Sequence, residues 1–361
     1  MTDTRRSDGR SGLDLTALAG FLTTAVPGLP VGPWNAELVS GGKSNLTYRI
    51  TDGTHRWILR RPPLGMVLAT AHDMSREYRV MSGLAGSAVP VPRMVAICDA
   101  SEVIGAPFYV MAEVDGIVYR EPAQVAELTP AQNLRLGNAL VDTLADLHEV
   151  DVDDVGLADL GRPAGYLGRQ LTRWIGQYEA AKVREQPDIV RLGAALTRSC
   201  PARQVVGIVH GDYRIDNVMV DRRDPGTILA VLDWEMATLG DPLADLGILV
   251  SFWDEPGRDP NPVTNGLTAF EGFPSPPEVV ARYAERRRLD PDEVADIDWY
   301  IVFGLWKVAI ILEQIHVRHS QGQTLGEGFD GVGDKVALLV HRALEVAASS
   351  TSSSLRTLRS S

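Results

Sequence analysis

The chain begins with short apolar runs that are separated by glycine, proline and charged residues. Runs of four to eight residues between turn residues predict the strands of an antiparallel sheet. Such runs occur at 36–40, 46–50, 56–61, 94–99 and 108–114. Helical periodicity appears in 13–26, with Asp14 or Thr16 as its cap, and again in 72–83. The pattern predicts a small lobe over residues 13–112 that is dominated by an antiparallel sheet.

Residues 113–346 have mainly helical periodicity and predict a larger second lobe. Thr129 precedes Pro130, which is the arrangement of an N-cap followed by a first helical residue. The buried face of this helix is predicted to contain Leu134, Leu140, Leu144 and Leu147. Further helices are predicted at 277–288, 292–319 and 333–347. The serine- and arginine-rich ends, 1–12 and 347–361, are predicted to be disordered. The fold class is therefore α+β with two lobes.

Two apolar runs in the second lobe flank a polar cluster that an ordinary strand would not carry. Val205–Val209 and Val218–Val220 enclose the segment His210-Gly211-Asp212, with Asn217 at its end. A third apolar run follows and ends on Asp233. We expect Asp212, Asn217 and Asp233 to lie at the mouth of one small sheet.

These residue types suit phosphoryl transfer, which requires an oriented acceptor hydroxyl and Mg²⁺ held against phosphates. Asp212 is positioned to accept the proton of the hydroxyl. Asn217 and Asp233 provide the hard oxygen ligands that Mg²⁺ prefers. Protein kinases space the Asp and Asn of their catalytic loop in the same way. Taken singly, each acidic residue could equally be a turn former or a helix cap.

The ordered set resembles the aminoglycoside phosphotransferase, or choline kinase-like, family. The motifs are His210-Gly211-Asp212 with Asn217, then Leu232-Asp233-Trp234-Glu235, then the segment from Gly240 to Gly247. The resemblance implies a two-lobed protein-kinase-like fold that binds ATP and Mg²⁺ between its lobes. It also implies a small-molecule hydroxyl acceptor. Whether ATP or GTP is preferred stays open.

A glycine-rich turn between the first two predicted strands is a candidate phosphate contact. It comprises Gly41, Gly42, Lys43, Ser44 and Asn45. Glycines let backbone N–H groups approach phosphates closely. A P-loop is excluded because that motif needs a glycine five positions before Gly42, where the chain has Glu37.

In kinase-like folds the next strand contains a lysine that reaches the phosphates and pairs with a helix glutamate. By position that residue here is Arg60, and the glutamate is Glu77. The departure matters because arginine and lysine are not interchangeable. A solvated strand-end charge for Arg60 and an ordinary helix-surface pair for Glu77 are the alternatives.

The strand 108–114 resembles the segment that connects the lobes in this family. The resemblance places adenine against backbone groups near Met111 and Glu113. Asp245, just after the last motif, is expected either to hold the catalytic loop by hydrogen bonds or to cap a helix. His148 is expected to be a core or helix-end residue, with a catalytic role as the alternative.

A narrower resemblance links residues 35–345 to the N-terminal kinase-like domain of acyl-CoA dehydrogenase family members 10 and 11. It is based on Leu59-Arg60-Arg61-Pro62-Pro63, Arg76-Glu77-Tyr78-Arg79 and the run from Val155 to Tyr178. It favours a hydroxyacyl-CoA or hydroxy acid as acceptor, while the wider family favours an aminoglycoside. Asp241 follows Asp233 without a long activation loop, so a protein acceptor is disfavoured. A catalytically silent nucleotide-binding or scaffolding protein is the rival interpretation.

The composition adds expectations about partners and cellular location and leaves the predicted fold and function unchanged. The net charge of −12 argues against nucleic acid and anionic membrane surfaces as general partners. The cysteines Cys98 and Cys200 form no framework, and residues 1–12 lack the apolar core of a secretory signal. The expectation is a soluble, cytoplasmic protein, with a homodimer as one possible assembly. His316 and His319 are expected to be solvated or capping residues, not metal ligands.

Overall fold

The computed structural model describes residues 13–28, 33–41, 45–63, 74–202, 205–322, 331–351 and 353–356. These residues form two compact units. The first contains the described residues up to Gly116 together with Leu229–Ala237, and the second contains Ile117–Ile228 and the described residues from Thr238 onward. The boundary predicted at residue 112 therefore moves to 116. Asp233 lies in the first unit and not, as predicted, in the second.

The first unit is built on one antiparallel sheet. Its strands are β1 Asn35–Gly41, β2 Leu46–Thr51, β3 Arg56–Arg61, β4 Met94–Cys98 and β5 Phe108–Ala112, in the spatial order β1-β2-β3-β5-β4. Alternation along β3 buries Trp57, Leu59 and Arg61 on one face. The core on that face also contains Leu18 and Leu22 of helix α1 (Leu15–Ala25), whose predicted cap Asp14 accepts hydrogen bonds from two backbone amides.

Helix α2, Met74–Leu84, accounts for the described part of the helix that was predicted at 72–83. Its buried residues recur at helical spacing and include Val80, Met81 and Leu84. The one charged residue of that buried set is Glu77. The helix thus presents a carboxylate to the interior of the first unit.

Helices dominate the second unit. They are α3 Pro122–Ala126, α4 Pro130–Glu149, α5 Tyr166–Ala181, α6 Pro187–Arg198, α7 Leu243–Ser251, α8 Pro276–Arg287, α9 Ile297–Ser320, α10 Val332–Ser349 and α11 Ser353–Arg356. Thr129 caps α4 as predicted, with its hydroxyl accepting from the Gln132 amide. Short strands β6 Gly207–Val209, β7 Val218–Val220, β8 Ile228–Val231 (which ends in the first unit) and β9 Thr238–Gly240 carry the polar motifs.

Four expectations about this unit are corrected. Leu134 is 45% exposed because the buried face of α4 passes through Leu136 instead. Val205 and Val206 are exposed, and the strand begins only at Gly207. In the described chain β6 pairs with β9 in a separate sheet, so the prediction of one small sheet is wrong. Helix α10 continues to Ser349 and Leu355 of α11 is fully buried, so the predicted disorder from 347 does not hold for these residues.

Helices α7 and α9 approach each other closely because glycines lie at their contact. A Cβ on Gly247 would lie 2.5 Å from the backbone carbonyl of Tyr300. One on Gly304 would lie 3.1 Å from Ser251 Oγ. This packing fixes the register between two helices that both contact the catalytic motif.

In the part of the chain that the structure describes, every helix is too short or too polar to span a bilayer.

Candidate active site

In the first unit, Arg60 joins two carboxylates. Its Nη1 lies 2.9 Å from Glu77 Oε2, and its Nη2 lies 3.3 Å from Asp233 Oδ1. The predicted ion pair with Glu77 is therefore present. The Arg60 side chain is 13% exposed, which excludes the alternative of a solvated strand-end charge. Its buried Nε has no hydrogen-bond partner among the described residues.

Glu77 is fully buried and accepts hydrogen bonds from three side chains. Besides Arg60, the donors are Tyr109 Oη at 2.8 Å and Asn45 Nδ2 at 3.2 Å. Burial raises the pKa of Glu77, and the Arg60 guanidinium opposes that rise. Burial also raises the pKa of Tyr109 well above its usual value, so its hydroxyl stays a donor. Glu77 thus organises a buried polar cluster beneath the sheet, and the alternative of an ordinary helix-surface pair is wrong.

The structure directs the side chain of Asn45 to Glu77. Its Oδ1 is buried without a partner among the described residues. Gly41 ends β1 and pairs with Leu46, while Gly42, Lys43 and Ser44 lie outside the described residues. The phosphate contacts predicted for this turn stay predictions.

The segment that was predicted to connect the lobes has backbone N–H groups that already donate hydrogen bonds within the first unit. The Ala112 amide donates to Arg93 O at 2.8 Å, and the Glu113 amide to Arg56 O at 3.4 Å. The side chain of Glu113 pairs with Arg49 at 2.7 Å and Arg56 at 3.2 Å, and Met111 is buried. The adenine contact predicted near Met111 and Glu113 stays a prediction, and the Ala112 and Glu113 amides are already engaged within the first unit.

In the second unit, Asp212 and Asn217 are bonded to each other. Asn217 Nδ2 donates to Asp212 Oδ2 at 2.9 Å and to Asp212 O at 2.8 Å. A single 3₁₀ turn, Ile215–Asn217, brings the two residues together across five positions. Because Nδ2 is used in this way, the Asn217 Oδ1 faces away from Asp212.

Arg214 lies beside the carboxylate of Asp212, a contact that the sequence interpretation missed. Its Nε is 3.1 Å from Asp212 Oδ1, and its Nη1 is 2.6 Å from Asp216 Oδ2. Burial raises the pKa of Asp216, and Arg214 opposes that rise. The guanidinium also lies 5.3 Å from the ring centroid of Phe252. Asp212 keeps a side-chain exposure of 30%, so the carboxylate is accessible as well as oriented.

Asp245 binds the backbone of the loop that contains His210 and Gly211. Its carboxylate accepts hydrogen bonds from the amides of His210 (2.5 Å) and Gly211 (2.8 Å). His148 Nε2 approaches the same carboxylate at 3.4 Å, while His148 Nδ1 is 2.6 Å from Tyr283 Oη. Of the two roles expected for Asp245, the structure shows hydrogen bonding to the loop. His148 is a buried residue that supports Asp245.

Lys307 contacts the carbonyl group of the same glycine. The sequence interpretation did not assign this lysine a role. Its Nζ donates to Gly211 O at 2.8 Å. The residue is 6% exposed and lies in α9, the helix whose apolar run made this lysine conspicuous in the sequence.

The second unit also contains a cavity of about 520 Å³ between α7, α8, α9 and α10. Apolar side chains including Trp253, Val280 and Ile301 form most of its lining, and Arg258 and Arg342 pair with acidic residues at its rim. Ser251 and Trp253 of the wall flank Phe252, the residue that contacts Arg214.

Each unit contains one of the two residues predicted to bind Mg²⁺, and each of these has an oxygen of suitable chemistry. Asn217 Oδ1 and the Asp233 carboxylate are hard oxygen donors of the type that Mg²⁺ selects, with water and phosphate completing its octahedron. The Asp233 side chain is 31% exposed, and one of its oxygens is engaged by Arg60.

Comparison with known proteins agrees with this geometry. The model of the phosphotransferase enzyme family matches residues 35–295. The chain belongs to this family. It has the two-lobed protein-kinase-like fold that its motifs predicted.

The curated relatives include acyl-CoA dehydrogenase family members 10 and 11, which confirms the narrower resemblance. The mouse member 10 is 32% identical over 85% of this chain, and the chicken member 11 is 33% identical over 92%. The chain spans only 28% and 43% of the lengths of those two relatives.

Solved structures show the same fold. An aminoglycoside phosphotransferase assigned by similarity, from Ralstonia eutropha JMP134, superposes with a TM-score of 0.81 at 31% identity, covering 94% of this chain and 99% of that one. A thermostable mutant of APH(4)-Ia, in ternary complex with AMP-PNP and hygromycin B, gives 0.58 at 17% identity, with 91% and 98% covered. The GDP complex of aminoglycoside 2'-phosphotransferase-IIIa gives 0.60 at 18%, with 93% and 98% covered.

Proposed function

We propose that this protein transfers the γ-phosphoryl group of ATP to a hydroxyl group of a small metabolite. The observation that carries the proposal is the bond between Asn217 Nδ2 and Asp212 Oδ2. It leaves an accessible carboxylate, oriented by a neighbour whose oxygen is free for a metal. Asp212 accepts the proton of the acceptor hydroxyl while the oxygen of that hydroxyl forms a bond to the γ-phosphorus. The bond between that phosphorus and the bridging oxygen breaks, and ADP leaves with the electron pair.

The chain's own residues prepare this reaction. Asn217 and Asp233 are proposed as the protein ligands of Mg²⁺, and Arg60 as the residue that orients Asp233 and the phosphates. Asp245 keeps the backbone on either side of Gly211 in place. Bound with the nucleotide, Mg²⁺ supplies neutralisation of phosphate charge. Relatives of known structure in complex with AMP-PNP or GDP support nucleotide binding and leave the preferred base open.

Basic and aromatic side chains that an anionic, partly apolar acceptor can contact lie among the acidic groups around Asp212. Arg214 and Lys307 lie close to it, and Arg173 lies 5.5 Å from the Trp174 ring that also faces Lys307. The apolar cavity whose wall flanks Phe252 offers space for a hydrocarbon chain. A hydroxyacyl-CoA or hydroxy acid is therefore the proposed acceptor class, with aminoglycosides as the alternative class.

The decisive experiment is a mass-spectrometric screen for products of phosphate transfer from MgATP. Its panel contains hydroxyacyl-CoAs of several chain lengths, free hydroxy acids, aminoglycosides, choline and simple sugars, with Asp212→Ala as the matched control. A phosphorylated hydroxyacyl product that the control does not form supports the proposal. Phosphorylation of aminoglycosides alone would refute the acceptor class.

One observation favours a second candidate, a nucleotide-binding protein without catalysis. Arg60 stands where the family has lysine, and its guanidinium engages a carboxylate proposed as a metal ligand. Tight MgATP binding by calorimetry, with no transfer to any compound of the panel and none to water, would favour this candidate over the kinase.

A further inference from the structure

Side chains of opposite charge bind the two polar backbone groups of Gly211, its N–H and its C=O. Asp245 accepts the Gly211 N–H at 2.8 Å, and Lys307 donates to the Gly211 carbonyl at 2.8 Å. Gly211 adopts φ +85°, a left-handed conformation that other residues rarely tolerate. The residue that follows it is Asp212. Any rotation of the peptide between Gly211 and Asp212 would redirect the catalytic carboxylate.

The two side chains reach the loop from two different helices. Asp245 lies in α7 and Lys307 lies in α9. The glycine contacts at Gly247 and Gly304 fix the register of these helices, so the distance between the two charges is set by rigid packing. Trp306, next to Lys307, is itself anchored by a hydrogen bond from Nε1 to Ile189 O at 2.8 Å.

Lys307 is an expensive residue to place in this position. The residue is 6% exposed and, among the described residues, Nζ donates a single hydrogen bond. Its remaining contact is with the ring of Trp174, 5.6 Å from Nζ. Burial lowers the pKa of Lys307, and the carboxylates of Asp212 and Asp245 oppose that decrease. A buried charge with so few partners usually weakens a fold, so stability does not explain its presence.

We infer that Lys307 is a positioning residue that holds the Gly211 carbonyl and thereby aims the Asp212 carboxylate at the acceptor. Asp245 and Lys307 together form the Gly211 clamp, in which one side chain holds the N–H and the other holds the C=O. The clamp acts on the backbone, so it supports the reaction step more than nucleotide binding. The expected effect on kcat rests on the proposed function. The expected effect on the backbone at Gly211 and Asp212 does not.

The first test measures the clamp without any activity. Hydrogen exchange by mass spectrometry is compared for Lys307→Met and for Lys335→Met, a control that changes the same residue type in α10. We expect the amides of Gly211 and Asp212 to exchange at least about tenfold faster in Lys307→Met, with peptides from α4 unchanged. Exchange that is unchanged at these amides, or faster throughout the second unit, would overturn the inference.

The second test measures the consequence for the reaction. Lys307→Met should lower kcat about tenfold to a hundredfold with KM for MgATP within about threefold, because a small misplacement of a reacting group is costly. Lys307→Gln keeps an N–H donor of similar length and should recover part of the loss. The melting temperature of both variants should stay close to that of wild type, since an unfavourable buried charge is removed.

The two tests separate failure of the clamp from failure of the proposed function. A parallel loss of kcat, MgATP affinity and melting temperature would assign Lys307 a merely structural role and refute the clamp. If the wild type transfers phosphate to no acceptor, the proposed function fails, and exchange at Gly211 and Asp212 alone decides the clamp. Should Lys307→Met not fold, the exchange comparison is made with Lys307→Leu, which also lacks an N–H donor, and is decided by the same amides.

Discussion

Arg60 Nη2 lies 3.3 Å from Asp233 Oδ1, although the two residues are 173 positions apart in the chain. The other terminal nitrogen of the same guanidinium binds Glu77. A lysine has one nitrogen and binds as a point charge, whereas the arginine fork can hold two carboxylates in a fixed geometry. The arginine that departs from the family pattern thus links β3, α2 and the backbone turn at Asp233, which has φ +65°.

Replacement of Arg60 should separate its two roles. Arg60→Met leaves the buried Glu77 without its cation and should lower the free energy of unfolding by about 3–5 kcal/mol. Arg60→Lys should keep most of that stability while lowering the rate of transfer, because Asp233 loses its partner. Urea unfolding and initial rates measure the two effects. Wild-type stability of Arg60→Met would show that the Glu77 pair does not support the fold.

Asp212 should matter for the reaction and hardly at all for nucleotide binding. Asp212→Asn keeps the shape of the side chain but cannot accept the proton, so kcat should fall about 10²- to 10⁴-fold. The dissociation constant for MgATP, measured by calorimetry, should change by less than about threefold. Equal losses in turnover and affinity would contradict the assignment of Asp212 as base.

The hydroxyl of Tyr109 should stabilise the buried Glu77 cluster. Tyr109→Phe removes a hydrogen bond to a buried carboxylate and should lower the free energy of unfolding by about 1.5–3 kcal/mol. Tyr78→Phe is the matched control, because this half-buried tyrosine on the same helix as Glu77 should change stability by less than about 0.5 kcal/mol. Similar losses in the two variants would argue against a special role for Tyr109.

The contact between α7 and α9 should not tolerate a methyl group. In Gly247→Ala the new Cβ would lie 2.5 Å from the Tyr300 backbone, which cannot move without shifting α9. We expect a loss of about 1–3 kcal/mol or more in the free energy of unfolding. Gly176→Ala, at an exposed helical site with nothing within 4 Å of the added Cβ, should instead gain about 0.5–1 kcal/mol.

His148 should make the folded state sensitive to mild acid. Burial lowers the pKa of His148 below the value of about 6.5 that it has in the unfolded chain. As the pH falls below about 6.5, the unfolded chain therefore binds a proton that the folded protein does not, and stability decreases. The free energy of unfolding of His148→Gln should depend less on pH between 7.5 and 5.5, by at most about 1.4 kcal/mol per pH unit.

Asp245 contributes in a different pH window in the wild type, and His148→Gln is chosen because its amide N–H can still donate to that carboxylate. Burial alone would raise its pKa, but hydrogen bonds from His148 and the Gly211 amide hold that pKa below its usual range. Its contribution is therefore lost only below about pH 4, as the folded carboxylate becomes protonated. If wild type and His148→Gln showed the same pH dependence from 7.5 to 5.5, His148 would not be the group responsible.

The sequence alone determined the elements and the motifs. Strand and helix periods are local, so β3 and α2 were predicted within two residues of their observed bounds wherever the structure describes them. The Asp212–Asn217 pair was predicted too, because five residues of one loop suffice to bring those side chains together. A fixed spacing along the chain is geometric information that needs no tertiary structure.

The tertiary structure decided which distant residues complete these motifs. The contacts of Lys307 with Gly211 and of Tyr109 with Glu77 join helices and strands whose separation along the chain says nothing about their distance in space. Periodicity also misjudged Leu134 and Val205, since burial depends on which neighbour covers a face and not on the face alone. Packing of α7 against α9, set by contacts at two glycines, is what brings an aspartate to the N–H and a lysine to the C=O of one residue, Gly211.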